Sequence, residues 1–216
     1  MERVRAIVVL CGNPHEGGES MPRGDRSPRD EHADRVRTAL LDAALQLSSV
    51  KGYDGTTTEE IAEAAGVSQR TFFRYFPTKE SVLFSGEYDF IHAFSGVFLA
   101  QPDSMSDFEA IANSFAMLAP SLRRIRTRIV LYRAAVASSP VLLGREQQNH
   151  AANTKAIASV VAERRRLPSP NDECHLLASV GMLLLTRAVD RWLATPGQAI
   201  GDLIRKEFAT LPATIK

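Results

Sequence analysis

Between Thr57 and Pro77 the chain has room for two short helices joined by a three-residue turn, and for little else. Thr57-Thr58-Glu59-Glu60 reads as a capping box, in which the Thr57 hydroxyl satisfies an amide at the helix start and the Glu60 carboxylate bonds back. Ile61, Ala62 and Ala65 continue that helix, and Gly66 breaks it by supplying a conformation that a Cβ resists. Ser68 is a good N-cap for a second helix. That second helix has about seven or eight residues, because it cannot pass Pro77.

Two short helices meeting through such a turn form a helix-turn-helix. Ala62 and Ala65 keep the first helix slim, so the second can cross it closely. Phe72 and Phe76 are four apart and share a face, which is assigned to a small core. Gln69, Arg70, Thr71, Phe73 and Arg74 are left on the outer surface. Arg70, Arg74 and Lys79 are three cations with no acid among them before Glu80. Cations so placed meet phosphates and release counterions. Gln and Arg read base edges, and Thr meets a thymine methyl or a phosphate. The signal is local: net charge is +1, and from Met21 to Glu80 nine Lys/Arg face ten Asp/Glu, so the overall field decides nothing. On the turn alone, a plain helical hairpin with ordinary surface charges remains the competing reading.

The rest of the chain predicts an all-α protein. Residues 1–31 are rich in Gly, Pro, Ser and charge beyond the short run Ala6 to Leu10. They are expected to form a disordered tail, because such a segment cannot offset its ordering entropy by burial. Met21 is a second candidate start, and Arg23, Arg26 and Arg29 are either a solvated tail or an arm for a minor groove. Val36, Leu40, Ala44 and Leu47 form one helical stripe ending at Gly52. Thr78 caps a fourth helix read through Leu83, Tyr88 and Phe94 to Leu99. Further helices are predicted at about 106–118, 121–138, 141–166, 171–194 and 198–211, punctuated by prolines and glycine. The domain division is therefore 1–31 tail, 32–80 helix-turn-helix and 81–216 a helical domain.

The stretch "GYDGTTTEEIAEAAGVSQRTFFRYFPTKESVL" resembles the DNA-binding domain of TetR-type transcriptional regulators over roughly residues 35–84. Its landmarks are Thr57, Ile61-Ala62, the "AAGVS" turn, the "TFFRYF" helix and "PTKES". The resemblance implies a dimeric repressor with each second helix in a major groove of double-stranded DNA. Thr57, Phe73, Tyr75 and Lys79 are then expected at the phosphate backbone, and Ser68, Gln69, Arg70 and Thr71 near bases. Phe73 departs from the family's frequent Tyr, so its contact would be apolar only.

The resemblance also implies that the C-terminal helices dimerise and enclose a small organic inducer. The run "CHLLASVGMLLLTRAVDRWLATP" is apolar around most of its circumference, more than a one-sided surface helix needs. It reads either as a buried monomeric helix or as part of an intersubunit bundle, with Ala178 and Gly181 permitting close approach. Phe94, Phe98, Phe115, Met117, Arg126, Tyr132 and Trp192 are the candidate ligand residues. Arg123, Arg124, Arg126, Arg128 and Arg133 crowd one segment. By default they are a salt-bridged face; alternatively they grip an anion through bidentate forks. A looser resemblance to TetR regulators with acyl-CoA-like ligands implies that class of inducer.

The competing class is a cofactor-free helical enzyme using the same apolar interior, and a third is a DNA-binding protein without a ligand. No P-loop or nucleophile motif supports the enzyme. His92, His150 and His175 are isolated, so neither metal nor cofactor is implied. Cys11 and Cys174 make no disulfide framework, and the longest apolar run falls far below the ~20 residues of a membrane span. A cytoplasmic protein is expected.

Overall fold

The computed structural model describes residues 28–214, apart from 86 and 196. The expected tail over 1–27, with Arg23, Arg26 and Cys11, lies outside the described residues. The first helix, α1 (Pro28–Lys51), starts four residues before the expected His32. Proline is tolerated in a first turn, where its missing N–H has no intrahelical acceptor. Asp30 and Glu31 complement the positive end of the helix, and Lys51 the negative end. Residues 28–31, read as tail, are therefore helical. Gly52 closes α1 at φ +79°.

α2 (Thr58–Ala64) and α3 (Gln69–Tyr75) follow as predicted, capped by Thr57 and Ser68. Gly66 sits between them at φ +71°. Nothing lies within 4 Å of where its Cβ would be, so the glycine is required by backbone conformation and not by crowding.

The predicted fourth helix is two. α4 (Lys79–Leu83) stops at Phe84, whose φ −106° and ψ 17° leave the helix, and α5 (Glu87–Leu99) begins after it. Phe84 turns inward, its ring edge-on to Tyr132 at 5.8 Å. The next boundary shifts the other way. α6 (Asp107–Arg124) runs through Pro120, which the sequence reading took as a helix end. Pro120 is exposed and removes only the hydrogen bond to the Ala116 carbonyl. The break comes instead at Ile125 (φ −103°, ψ 15°), so the helix expected at 121–138 is split, and α7 covers Arg126–Ala137. α8 (Pro140–Arg164), α9 (Asp172–Ala194) and α10 (Ile200–Thr214) complete the chain.

α10 packs on α6 and α9, and α8 packs on α5, α7 and α9, while α1 joins the N-terminal helices to α7. Gly181 belongs to this interior. A Cβ there would stand 2.9 Å from Ile111 Cγ2, and Ala178 is fully buried. Gly181 serves the α6–α9 contact within the chain and Ala178 is buried there too, which corrects the expectation that they admit a second subunit. Arg164, only 7% exposed, pairs with Asp107 and donates to the carbonyls of Gln101, Pro102 and Met105, fixing the loop before α6.

Candidate nucleic-acid interface

α3 is held from below by Phe72, which is fully buried, and by Phe76 at its C-terminal end. The rings meet at 6.0 Å. The opposite side presents Ser68, Gln69, Arg70, Phe73 and Arg74 to solvent. Gln69 Nε2 donates to Thr58 Oγ1 at 3.0 Å, tying the start of α3 to the start of α2. Ser68 Oγ accepts from the Thr71 amide at 3.1 Å and shares a hydrogen bond with the Thr71 hydroxyl. Both hydroxyls therefore help cap α3, and Thr71 is half-buried. Arg70 is exposed and has no protein partner among the described residues. Phe73 is 50% exposed, an apolar area that a folded monomer gains nothing by showing to water.

Tyr75 is half-buried, with the guanidinium groups of Arg74 and Arg37 over its ring at 5.0 and 5.5 Å. α1 thus contributes a cation beside α3, one that the sequence reading missed because Arg37 lies 38 positions from Tyr75. Thr57 is exposed at the tip of α2. Its partner Glu60 also pairs with Lys51, and chiefly that pairing, then the Thr57 amide, lowers the Glu60 carboxyl to about 2.

Lys79 is less open than expected. Its ammonium donates to the carbonyls of Tyr53 and Thr56, both at 2.8 Å, and lies 4.0 Å from the centre of the Tyr53 ring. Burial lowers its pKa, opposed by Asp54. With two of three N–H groups committed, one remains for a phosphate. Burial, then Glu80 and Asp54, push Tyr53 up to about 12. The same loop reaches the C-terminal body. Ser138 Oγ accepts from the Tyr53 amide at 3.0 Å, and Ser139 Oγ donates to Asp54 at 3.2 Å. Arg145 of α8 pairs with Glu80 of α4 at 3.4 Å.

Of the seven candidate ligand residues, Phe94, Phe98, Phe115, Tyr132 and Trp192 are buried in the interior. Phe94 and Phe98 stack at 5.3 Å, and Phe94 meets Phe115 at 5.0 Å. Tyr132 is buried against Phe84, and Arg126 lies over Trp192 at 5.4 Å. Met117 is 57% exposed, since it falls on the outer side of α6; it does not join the others. Three of the five arginines are held by protein partners. Arg128 grips Asp42 through two hydrogen bonds, Arg133 pairs with Asp190, and Arg126 donates to the Leu193 carbonyl.

Sequence comparison places this arrangement. Residues 40–85 match the bacterial regulatory proteins of the tetR family, and residues 108–216, half of the chain, match the MftR C-terminal domain. The chain belongs to the TetR family. Among relatives of this TetR protein, TcmR of Streptomyces glaucescens is 37% identical over 81 residues, which are 38% of this chain and 36% of TcmR. EthR of Mycolicibacterium smegmatis is 42% identical over 64 residues, 30% of this chain and 29% of EthR. Each match thus spans about a third of the relative's own length. Two solved structures share the fold across most of the chain. A regulator from Aquifex aeolicus has TM-score 0.54 at 15% identity, covering 83% of this chain and 99% of its own. Thermus thermophilus FadR, a repressor solved with lauroyl-CoA, has TM-score 0.52 at 26% identity, covering 82% and 93%. These relatives are transcriptional regulators, which sets the enzyme reading aside.

Proposed function

We propose that this TetR protein is a ligand-responsive transcriptional repressor, acting in the cytoplasm as a homodimer on palindromic double-stranded DNA. The observation that carries the reading is the outward face of α3, where Arg70 projects without a partner among the described residues from a helix anchored by Phe72 and the Gln69–Thr58 bond. In this reading Arg70 and the remaining polar atoms of Gln69 reach base edges, with Ser68 and Thr71 beside them. Arg74, Tyr75, Thr57 and the last N–H of Lys79 meet phosphates, and Phe73 packs on sugar or a thymine methyl. Among the described residues no helix is long and apolar enough to cross a membrane.

The dimer reading is supported by α9. Leu176 and Leu183 are 65% and 51% exposed, with the half-buried Leu177 and Val180 between them. This apolar stripe suits a second copy related by a twofold axis. Two α3 helices would then enter successive major grooves about 34–36 Å apart, so small shifts favoured by an inducer suffice to release DNA. The FadR complex with lauroyl-CoA supports an acyl-CoA-like inducer. An acyl chain would have to part the rings of Phe94, Phe98 and Phe115 to enter between them.

Selection of bound sequences from random duplex DNA tests this function. The expected product is a palindrome with two equal half-sites. No enrichment over input at low salt would overturn the reading.

A further inference from the structure

A cleft of about 340 Å³ lies between α5 and α8, lined by Ile91, Arg145, Gln148, Asn149, Ala152, Asn153 and Ala156. Apart from Ile91, its residues form one stripe of α8 at spacings of three and four, so they share a face. The stripe has a cation at Arg145 at its N-terminal end and amides at Gln148 and Asn149 next to it, with Ala152 and Ala156 flanking Asn153 at the far end. Along a helix rising 1.5 Å per residue the stripe spans about 16 Å. Among the described residues, no carboxylate lines it. Asn149 is 5% exposed, and its Nδ2 is buried with no hydrogen-bond partner. A buried orphan donor costs free energy unless something accepts from it. The cation at that end, Arg145, pairs with Glu80 among the described residues, at 3.4 Å and with both side chains partly exposed.

We infer that this cleft binds a small organic acid, its carboxylate on Arg145 and Asn149 Nδ2 and its apolar part along Ile91, Ala152 and Ala156. The chemistry follows from the lining: the Arg145 cation and the unpaired Asn149 Nδ2 call for an anionic acceptor, while Ile91, Ala152 and Ala156 offer apolar contact beside the single amide of Asn153. The site also reports to the DNA-binding helices, an extension that rests on the regulator reading above. A carboxylate on Arg145 competes with Glu80, the residue next to Lys79, whose ammonium holds the Tyr53 and Thr56 carbonyls. Occupancy therefore detaches α4 from α8, and by linkage the state with the Arg145–Glu80 pair intact binds the acid less well.

Calorimetric titration of the full-length protein with hexanoate, octanoate and benzoate, with octanamide as the neutral control, tests the site. At least one acid is expected to bind, and octanamide at least ten-fold more weakly than octanoate if octanoate is that acid. Arg145→Gln should weaken binding about ten-fold or more, as loss of a charge-assisted hydrogen bond predicts. Glu80→Gln should tighten it two- to five-fold by removing the competitor, the range set by a partly exposed ion pair. The tightening is a result that mere structural damage would not produce. Binding unaffected by Arg145→Gln, weaker binding in a folded Glu80→Gln protein, or no binding by any of the acids would overturn the inference. DNA affinity measured without acid separates the two readings: a protein that binds its palindrome but ignores all three acids rejects only this site.

Discussion

Arg70 and Arg74 sit one turn apart on α3 in different company, and that difference predicts different losses. Arg70 is without a partner among the described residues, whereas Arg74 lies over the Tyr75 ring. Arg70→Ala should therefore relax preference at one base position, costing about 1–3 kcal/mol of discrimination. Arg74→Ala should weaken all sequences alike and lower the salt slope by about one. Competition titrations against mutated half-sites at several salt concentrations check both, and the reverse pattern would mean that the face of α3 is misassigned. The exposure of these side chains was legible in the sequence, because Phe72 and Phe76 fixed the buried side of a helix with only two turns. The commitment of Lys79 was not. Nothing near Lys79 announces that Tyr53 and Thr56, 26 and 23 positions earlier, bring their carbonyls to it.

At the scale of elements, the caps can be tested by pH. The Glu60 carboxyl is lowered to about 2 from 4.5 by Lys51 and the α2 capping box. A depressed carboxylate stabilises the fold above its unfolded value, and that contribution is lost as pH falls through the native one. The melting temperature of Glu60→Ala should therefore lie below the parent by a constant gap above pH 4.5, narrowing toward pH 2; a pH-independent gap would contradict the assignment. The two structural glycines should fail for unlike reasons. Gly66→Ala meets no neighbour but holds φ +71°, costing about 1–2 kcal/mol of backbone strain. Gly181→Ala drives a methyl toward Ile111 Cγ2 at 2.9 Å, and overpacking of this kind costs about 1–3 kcal/mol. Denaturant unfolding measures both, and an unchanged midpoint in either would refute its mechanism. Helix starts were readable because Thr57, Ser68, Thr78 and Asn171 carry their own capping chemistry. The break at Ile125 was not, since that residue has no local helix-stopping signature, whereas the one at Phe84 had a signal that the sequence reading missed, the Ser85-Gly86 pair just after it. Pro120 misled in the opposite direction, because one lost hydrogen bond on an exposed face does not end a helix that the core still holds.

For the whole molecule, the account requires two copies. Leu183→Arg, at a position 51% exposed on α9, should leave the monomer folded and shift sedimentation from dimer to monomer. DNA affinity should fall with it, because one recognition helix without its mate loses half of the contacts. A variant that still sediments as a dimer would place the interface elsewhere. The sequence carried the apolar excess of α9 but not its direction: of the pair read as the intersubunit surface, Gly181 faces α6 and Ala178 is buried, and the leucines lie outside. The α8 cleft was also unread, although Asn149 and Asn153 repeat at helical spacing on a face that Leu142 and Ile157 bury. Polar residues on a buried face are the signal that finds such a site.

The central claim is that α3 enters duplex DNA as one of a symmetric pair. Hydroxyl-radical footprinting on a selected binding sequence tests it most directly. The account predicts two equal protected patches with centres about 34–36 Å apart on the duplex, both lost together when α9 carries Leu183→Arg. A single continuous footprint, or protection that survives in the monomer, would contradict it.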